Sequence, residues 1–286
     1  MLHKNVSTEL FMNYNGELIS LAEPKIMAIL NVTPDSFYDG DSSFKPQDYL
    51  TKVEKMITDG ADIIDVGGMS TKPGAKEITA EEEANRVLPI LKILIAQFPA
   101  MMFSIDTYRS SVAEQAIKLG VGIVNDISGG TFDDKMYGVI KKYQCVYIVM
   151  HIQGTPATMQ NDPSYHNVIT EVVKKLSEIK FKLVKDGVND IIIDPGFGFG
   201  KSIEQNYEIL NKLAQFKLLG LPILVGFSRK SMIYKVLQQE AKDALNGTSV
   251  LNTFALLNGA NIIRVHDVKE AKECAILVSK LKANSI

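Results

Sequence analysis

The stretch Ile191-Ile-Ile-Asp-Pro-Gly-Phe-Gly-Phe-Gly-Lys-Ser202 decides how the chain is read. Three isoleucines run into Asp194, three glycines alternate with other residues, and Lys201 and Ser202 close the segment. A nucleotide-binding loop needs G-x-x-x-x-G-K-[ST], but the position of its opening glycine holds Pro195. The dinucleotide pattern G-x-G-x-x-G fails as well, because Lys201 stands where its last glycine belongs. What remains is a buried β-branched strand, an acidic residue at its end and a glycine-rich turn into a helix.

Seven further segments repeat that grammar. Short apolar runs at 26–32, 62–68, 102–107, 122–127, 146–151, 222–228 and 262–268 are each followed by a turn and, in most cases, a stretch with helical periodicity. Continuous apolar strands indicate a parallel sheet buried on both faces. The helices are legible between them. In 78–98, Thr79 and Glu82 have the spacing of a capping box, and Val87, Leu88, Leu91, Leu94, Ile95 and Phe98 lie on one face. The segments 109–120 and 167–187 end on Gly120 and Gly187, as helix C-termini favour. Two helical pieces, 230–240 and 246–258, are expected in the long segment between the last two strands.

Eight strand–helix units in 286 residues predict a single-domain α/β (β/α)8 TIM barrel over 1–286. An open doubly wound sheet is the competing arrangement. Asn15-Gly16 between apolar runs predicts a short N-terminal β-hairpin, within an extension covering 1–23, that covers the N-terminal end of the barrel. Hydrophobic residues at 46% and charged residues at 22% give a large core and argue against disorder. A net charge of −2 leaves no basic surplus for nucleic acid. Cys145 and Cys274 form neither a metal cluster nor a disulfide framework, which suits a reducing cytoplasm. No apolar run approaches membrane-spanning length.

The chemistry sits at the strand ends. Asn31, Asp65, Asp106, Asn125, Asp126, His151, Asp194, Ser228, Arg264 and His266 each close an apolar run. In a barrel those ends share one mouth. Buried carboxylates need cations or donors, and Lys230 and Arg264 are the expected cations. Carboxylates, an amide and an ammonium suit a flat heterocycle rich in N–H groups and ring nitrogens. Arg264 and His266 suit phosphate. Asn31, followed by a Gly/Asp/Ser loop, offers an oxygen ligand for Mg2+, which takes few protein ligands beside phosphate oxygens.

The stretches ILNVTPDSFYDG, GADIIDVGGMSTKPGA, SIDTYRSSVAEQAI, NDISGG, MHIQGTPATMQ, DPGFGFGKS, GFSRKSMI and IIRVHDV together resemble the dihydropteroate synthase family. They cover the chain from about residue 24 to the last strand, in the family's order. The resemblance implies condensation of 6-hydroxymethyl-7,8-dihydropterin diphosphate with p-aminobenzoate, giving 7,8-dihydropteroate and pyrophosphate. It implies pterin binding by Asp106, Asn125, Asp194, Lys230 and Arg264, with catalysis resting on Asp106, Asp194 and Lys230. It puts diphosphate on Asn31, Thr71, Arg264 and His266, with Mg2+ at Asn31. It puts p-aminobenzoate beside Phe199, Ser228 and Lys230. By the same resemblance Lys201 and Ser202 start the next helix, the chain forms a homodimer through helices near its C-terminus, and it is a sulfonamide target. Lys72 stands where most members carry arginine, which weakens a bidentate phosphate grip. The expected chemistry is a dissociative, SN1-like displacement. A corrinoid-dependent methyltransferase, a non-catalytic pterin-binding homologue and a phosphosugar barrel are the alternatives.

Overall fold

The computed structural model describes residues 9–32, 46–70, 77–160 and 162–284. The chain opens with an antiparallel hairpin, β1 (Phe11–Tyr14) and β2 (Glu17–Ser20). Its turn residues Asn15 and Gly16 both take positive φ, 50° and 92°, as a two-residue turn between twisted strands requires. The parallel strands follow: β3 (Lys25–Asn31), β4 (Ile63–Gly67), β5 (Met102–Asp106), β6 (Ile123–Asp126), β7 (Val146–Met150), β8 (Ile191–Asp194), β9 (Leu224–Val225) and β10 (Ile262–Val265). Between and after them lie α1 (Pro46–Thr58), α2 (Ala80–Gln97), α3 (Ser110–Lys118), α4 (Met136–Tyr143), α5 (Val168–Lys185), α6 (Ile203–Asn211), α7 (Ser231–Tyr234), α8 (Leu245–Leu257) and α9 (Val268–Ala283).

The eight parallel strands pair in the order β8-β7-β6-β5-β4-β3-β10-β9. A parallel bridge between Ile193 and Ile223, and the 2.9 Å bond from Ile193 N to Pro222 O, join the two ends. The sheet is therefore a barrel and not the open doubly wound alternative.

Side chains alternate across each strand, and that alternation builds the site. One face carries Met27, Ile63, Ile123, Val146, Ile148, Ile192, Leu224 and Ile262, which pack together inside the barrel. Met12 on β1 and Leu21 just past β2 seal this apolar floor from below. The hairpin is held by Tyr14, whose hydroxyl accepts from Phe103 N at 2.9 Å, and by Asn13 N donating to Asp190 at 2.8 Å. The other face, including Ile26, Ala28, Ile64, Val66, Phe103 and Ile105, packs against the helices. Two residues above the floor, the inner face turns polar: Asp65 above Ile63, Asn125 above Ile123, Asp194 above Ile192 and Arg264 above Ile262.

Two expectations need correction. Asp126 is not in the mouth. One residue past Asn125, it points outward, where its carboxylate accepts from Tyr147 Oη (2.7 Å), Ser128 N (2.7 Å) and Gly130 N (2.9 Å). The first helical piece after β9 is also shorter than 230–240. Only Ser231–Tyr234 is α-helical, and Gln238 takes a left-handed φ of 53° before a 3-10 turn at Ala241–Asp243. The second piece, α8, spans Leu245–Leu257. On α2, Thr79 accepts from Glu82 N at 3.1 Å, while the Glu82 carboxylate turns to Arg86 at 2.5 Å instead of back to the cap.

Candidate active site

The polar layer is a connected network. Arg264 divides its guanidinium between two strands, Nε to Asp65 Oδ2 at 2.6 Å and Nη2 to Asp106 Oδ2 at 2.5 Å. Asn125 Nδ2 donates to the same Asp65 oxygen at 2.9 Å. Burial pushes the Asp106 carboxyl up to about 7, with Arg264 pulling the other way. Burial works against the Arg264 charge too, but Asp65 and Asp106 more than offset it and hold its pKa above the ordinary value. Asp194 is also raised by burial, with Lys230 its strongest opposing charge, and its Oδ1 accepts from Gly196 N at 2.7 Å.

The turn after β8 carries the second wall. Lys230 Nζ donates to Phe197 O at 2.5 Å and lies 4.7 Å from the centre of the Phe199 ring, a cation–π contact. Burial pulls the Lys230 ammonium down to about 8, against the attraction of Asp194. Gly196 holds φ at +75°, and a Cβ there would lie 1.9 Å from His151 O, so only glycine fits this approach of two strand ends.

Ser202, as expected, starts the next helix. It caps α6 with a full capping box, accepting from Gln205 N at 3.2 Å while Gln205 Oε1 accepts from Ser202 N at 2.8 Å. Lys201 does something the sequence did not signal. It is 3% exposed, and its Nζ meets Gly196 O (2.9 Å), Phe199 O (3.0 Å), His151 O (3.3 Å) and His151 Nδ1 (3.1 Å). It staples the glycine turn to the end of β7. Burial pulls its pKa down to about 7, with Asp194 pulling back, and burial lowers His151 to about 3.

The opposite rim joins the loops after β9 and β10. Ser228 Oγ lies 3.0 Å from His266 Nδ1 and accepts from His266 N at 3.2 Å. Arg229, held at a left-handed φ of 56°, grips Asp267 through Nη2 (2.6 Å) and Nε (3.0 Å). This clamp fixes Ser228 and Lys230 on either side of Arg229. Neither Arg229 nor Asp267 was singled out in the sequence; a charged pair directly following two strand ends was the available signal.

Asn31 ends β3 on the inner face, half-buried and in register with Gly67. Thr71 and Lys72 lie outside the described residues, as does the Gly/Asp/Ser loop that follows Asn31. Among the described residues no group of three His, Cys, Asp or Glu side chains is gathered for a metal. A lone carboxamide oxygen on the rim nevertheless fits Mg2+ brought in by a diphosphate, since that ion keeps few protein ligands.

Fold and site define an α/β barrel with a cup of alternating charge above an apolar floor. Comparison with known proteins narrows the class. A family model for pterin binding enzymes matches residues 27–266. The dihydropteroate synthase of Escherichia coli (strain K12) is 40% identical over 265 residues, covering 92% of this chain and 93% of the relative. The dihydropteroate synthase of Yersinia pestis, solved with a sulfonamide drug complex, superposes with a TM-score of 0.90 at 35% identity, covering 96% of this chain and 100% of that one. That of Xanthomonas albilineans, solved with 4-aminobenzoic acid, superposes with a TM-score of 0.90 at 32% identity, covering 97% and 100%. The chain belongs to the pterin-binding enzyme family, among its dihydropteroate synthases.

Proposed function

We propose that the chain joins p-aminobenzoate to 6-hydroxymethyl-7,8-dihydropterin diphosphate, releasing pyrophosphate. The observation that carries this reading is the buried network of Asp106, Asn125, Arg264, Asp194 and Lys230 in one cup. Asp106 and Asp194 accept from the amino and ring N–H groups of the pterin, Asn125 both accepts and donates, and Lys230 donates to a ring acceptor. Arg264 leaves Asp106 when the pterin arrives and lies against its ring, reaching toward the diphosphate with Asn31, Thr71 and His266. The p-aminobenzoate stands between Phe199, Ser228 and Lys230. Mg2+, when bound at Asn31, neutralises charge on the diphosphate.

The chemistry follows from those contacts. The C–O bond to diphosphate breaks, and its electron pair leaves with the phosphate oxygen. Arg264 and His266 stabilise that growing negative charge. The methylene carbon left behind shares its positive charge with the dihydropterin ring. Asp106 and Asp194 favour that cation electrostatically while fixing the ring. The aniline nitrogen, whose lone pair is free at neutral pH, forms the C–N bond and then loses a proton to solvent. No strong base is required, and an SN1-like course results.

The 286 residues work as one domain with the hairpin as its base, in a reducing cytoplasm where Cys145 and Cys274 stay free thiols. We assign a homodimer to the face formed by α8 and α9. Val250, Phe254 and Leu257 on α8 and Ile276 and Leu277 on α9 are 38–65% exposed, an apolar surface that water alone does not favour. The deciding experiment is calorimetric titration with the pterin diphosphate, with and without Mg2+, followed by an assay for pyrophosphate on adding p-aminobenzoate. Binding and pyrophosphate release that needs both substrates are expected; heat without release, or no heat, overturns the assignment.

A further inference from the structure

Asp65 was expected only as one more polar strand end, yet the network converges on it. It is fully buried. Its Oδ2 accepts from Asn125 Nδ2 at 2.9 Å and from Arg264 Nε at 2.6 Å. Two of the groups that form the ligand cup are thus held by one oxygen beneath them.

That contact fixes a choice that Asn125 otherwise leaves open. A carboxamide has an oxygen and an NH2 at nearly identical positions, and a flip exchanges donor for acceptor. A carboxylate only accepts. Asp65 therefore requires the NH2 side of Asn125, and the carboxamide must present its oxygen and its one remaining N–H elsewhere. Arg264 is fixed in the same way. Asp65 holds it at Nε, so its Nη2 can exchange Asp106 for a ligand without the guanidinium leaving the cup.

We propose that Asp65 is the specificity-determining residue of the pterin cup: by accepting from Asn125 and Arg264 it sets which edge of the heterocycle is read as donor and which as acceptor. The proposal rests on the pterin-binding reading above. It predicts discrimination between 6-hydroxymethylpterin and its 4-amino-2-oxo isomer, in which the amino and oxo groups exchange places. Such an exchange reverses the pattern that a flipped carboxamide would also reverse. A site built to hydrogen-bond one pattern rejects the other strongly, because buried partners are left unpaired.

A second observation makes the conservative variant informative. Asp65 Oδ1 and the hydroxyl of Ser104, its register partner on β5, have no hydrogen-bond partner among the described residues. In Asp65→Asn the carboxamide keeps one oxygen for Asn125 and Arg264 and turns its new NH2 to the side of Ser104. In Asp65→Ala the acceptor is gone, and water in the vacated space can donate or accept, so Asn125 is free to flip.

The test is calorimetric titration of both isomers into the unaltered chain and the variants. The unaltered chain and Asp65→Asn should prefer 6-hydroxymethylpterin by similar factors, within about threefold of each other. Asp65→Ala should lose that preference by roughly tenfold or more. A preference unchanged in Asp65→Ala, or lost equally in Asp65→Asn, overturns the proposal. The second case would assign the effect to charge. Should Asp65→Ala not fold, Asn125→Ser removes the carboxamide itself, and a preference that survives there also overturns it. Failure of the unaltered chain to bind 6-hydroxymethylpterin sinks the functional reading and this one with it. An unchanged ratio on a chain that does bind it sinks only the role of Asp65.

Discussion

At the scale of single residues, the site depends on charges that burial opposes and partners sustain. Asp106 is the sharpest case. On the proposed reading it must be ionised to accept with both oxygens and to favour the pterin cation, yet burial raises it to about 7. Affinity for the pterin diphosphate should therefore fall as pH drops below about 7, approaching tenfold per unit, and kcat/KM should show an acid limb there. Asp106→Asn should lower turnover by roughly 10²-fold or more, measured as pyrophosphate release; a near-normal rate would remove Asp106 from the chemistry. His151 affects stability instead. Its pKa is about 3 in the folded protein and 6.5 when exposed. The unfolded chain alone takes up that proton, so this contribution is complete above pH 6.5 and is lost as pH falls towards 3. The loss is at most about 1.4 kcal/mol per unit. Urea titrations at a series of pH values should show a shallower acid loss in His151→Gln than in the parent chain.

At the scale of elements, most of the site was legible because strands have a period of two. Ile63, Ile123, Ile192 and Ile262 in the floor fix the inward direction of Asp65, Asn125, Asp194 and Arg264 two places later. The same rule excludes Asp126, which strand-end position alone had included. Sequence proximity to a strand end therefore names candidates, and parity sorts them. Lys201 escaped because its partners are mainly backbone carbonyls, brought near by the turn's conformation and invisible as a side-chain pattern. The helix after β9 was overread because 230–240 has helical composition, yet its chain reverses at Gln238. The glycine turn itself offers a test. Gly196→Ala places a Cβ against His151 O and demands a left-handed φ of +75° from alanine. It should cost at least about 1 kcal/mol in urea unfolding and abolish turnover by displacing Phe199 and the Phe197 carbonyl from Lys230. Normal stability and rate would mean the turn adapts, and that its tight packing is incidental.

At the scale of the whole molecule, the barrel divides its interior between a hydrophobic lower half and a charged upper one. No helix among the described residues is long and apolar enough to cross a membrane. Among the described residues, six exposed large apolar side chains, Val250, Phe254, Leu257, Ile276, Leu277 and Leu281, lie on α8 and α9, a face the sequence does not locate, since exposure of Phe254 or Leu277 is a tertiary property. Phe254→Lys combined with Leu277→Lys should convert a dimer to a monomer in sedimentation equilibrium while leaving the far-ultraviolet circular dichroism unchanged. A parent chain that sediments as a monomer would sink the assignment to that face.

The hairpin carries one more consequence. It leaves the ribosome before the barrel strands, but its seat is made of Phe103, of Gly122, against which the Tyr14 ring packs, and of Asp190, which are synthesised much later. The hairpin must therefore wait without its full seat until Asp190 has been made. Nascent chains halted before Asp190 should leave it open to protease, and chains halted after β8 should begin to shield it. The base of this barrel is then seated only after six of its eight parallel strands have been made, although it precedes them all in the chain.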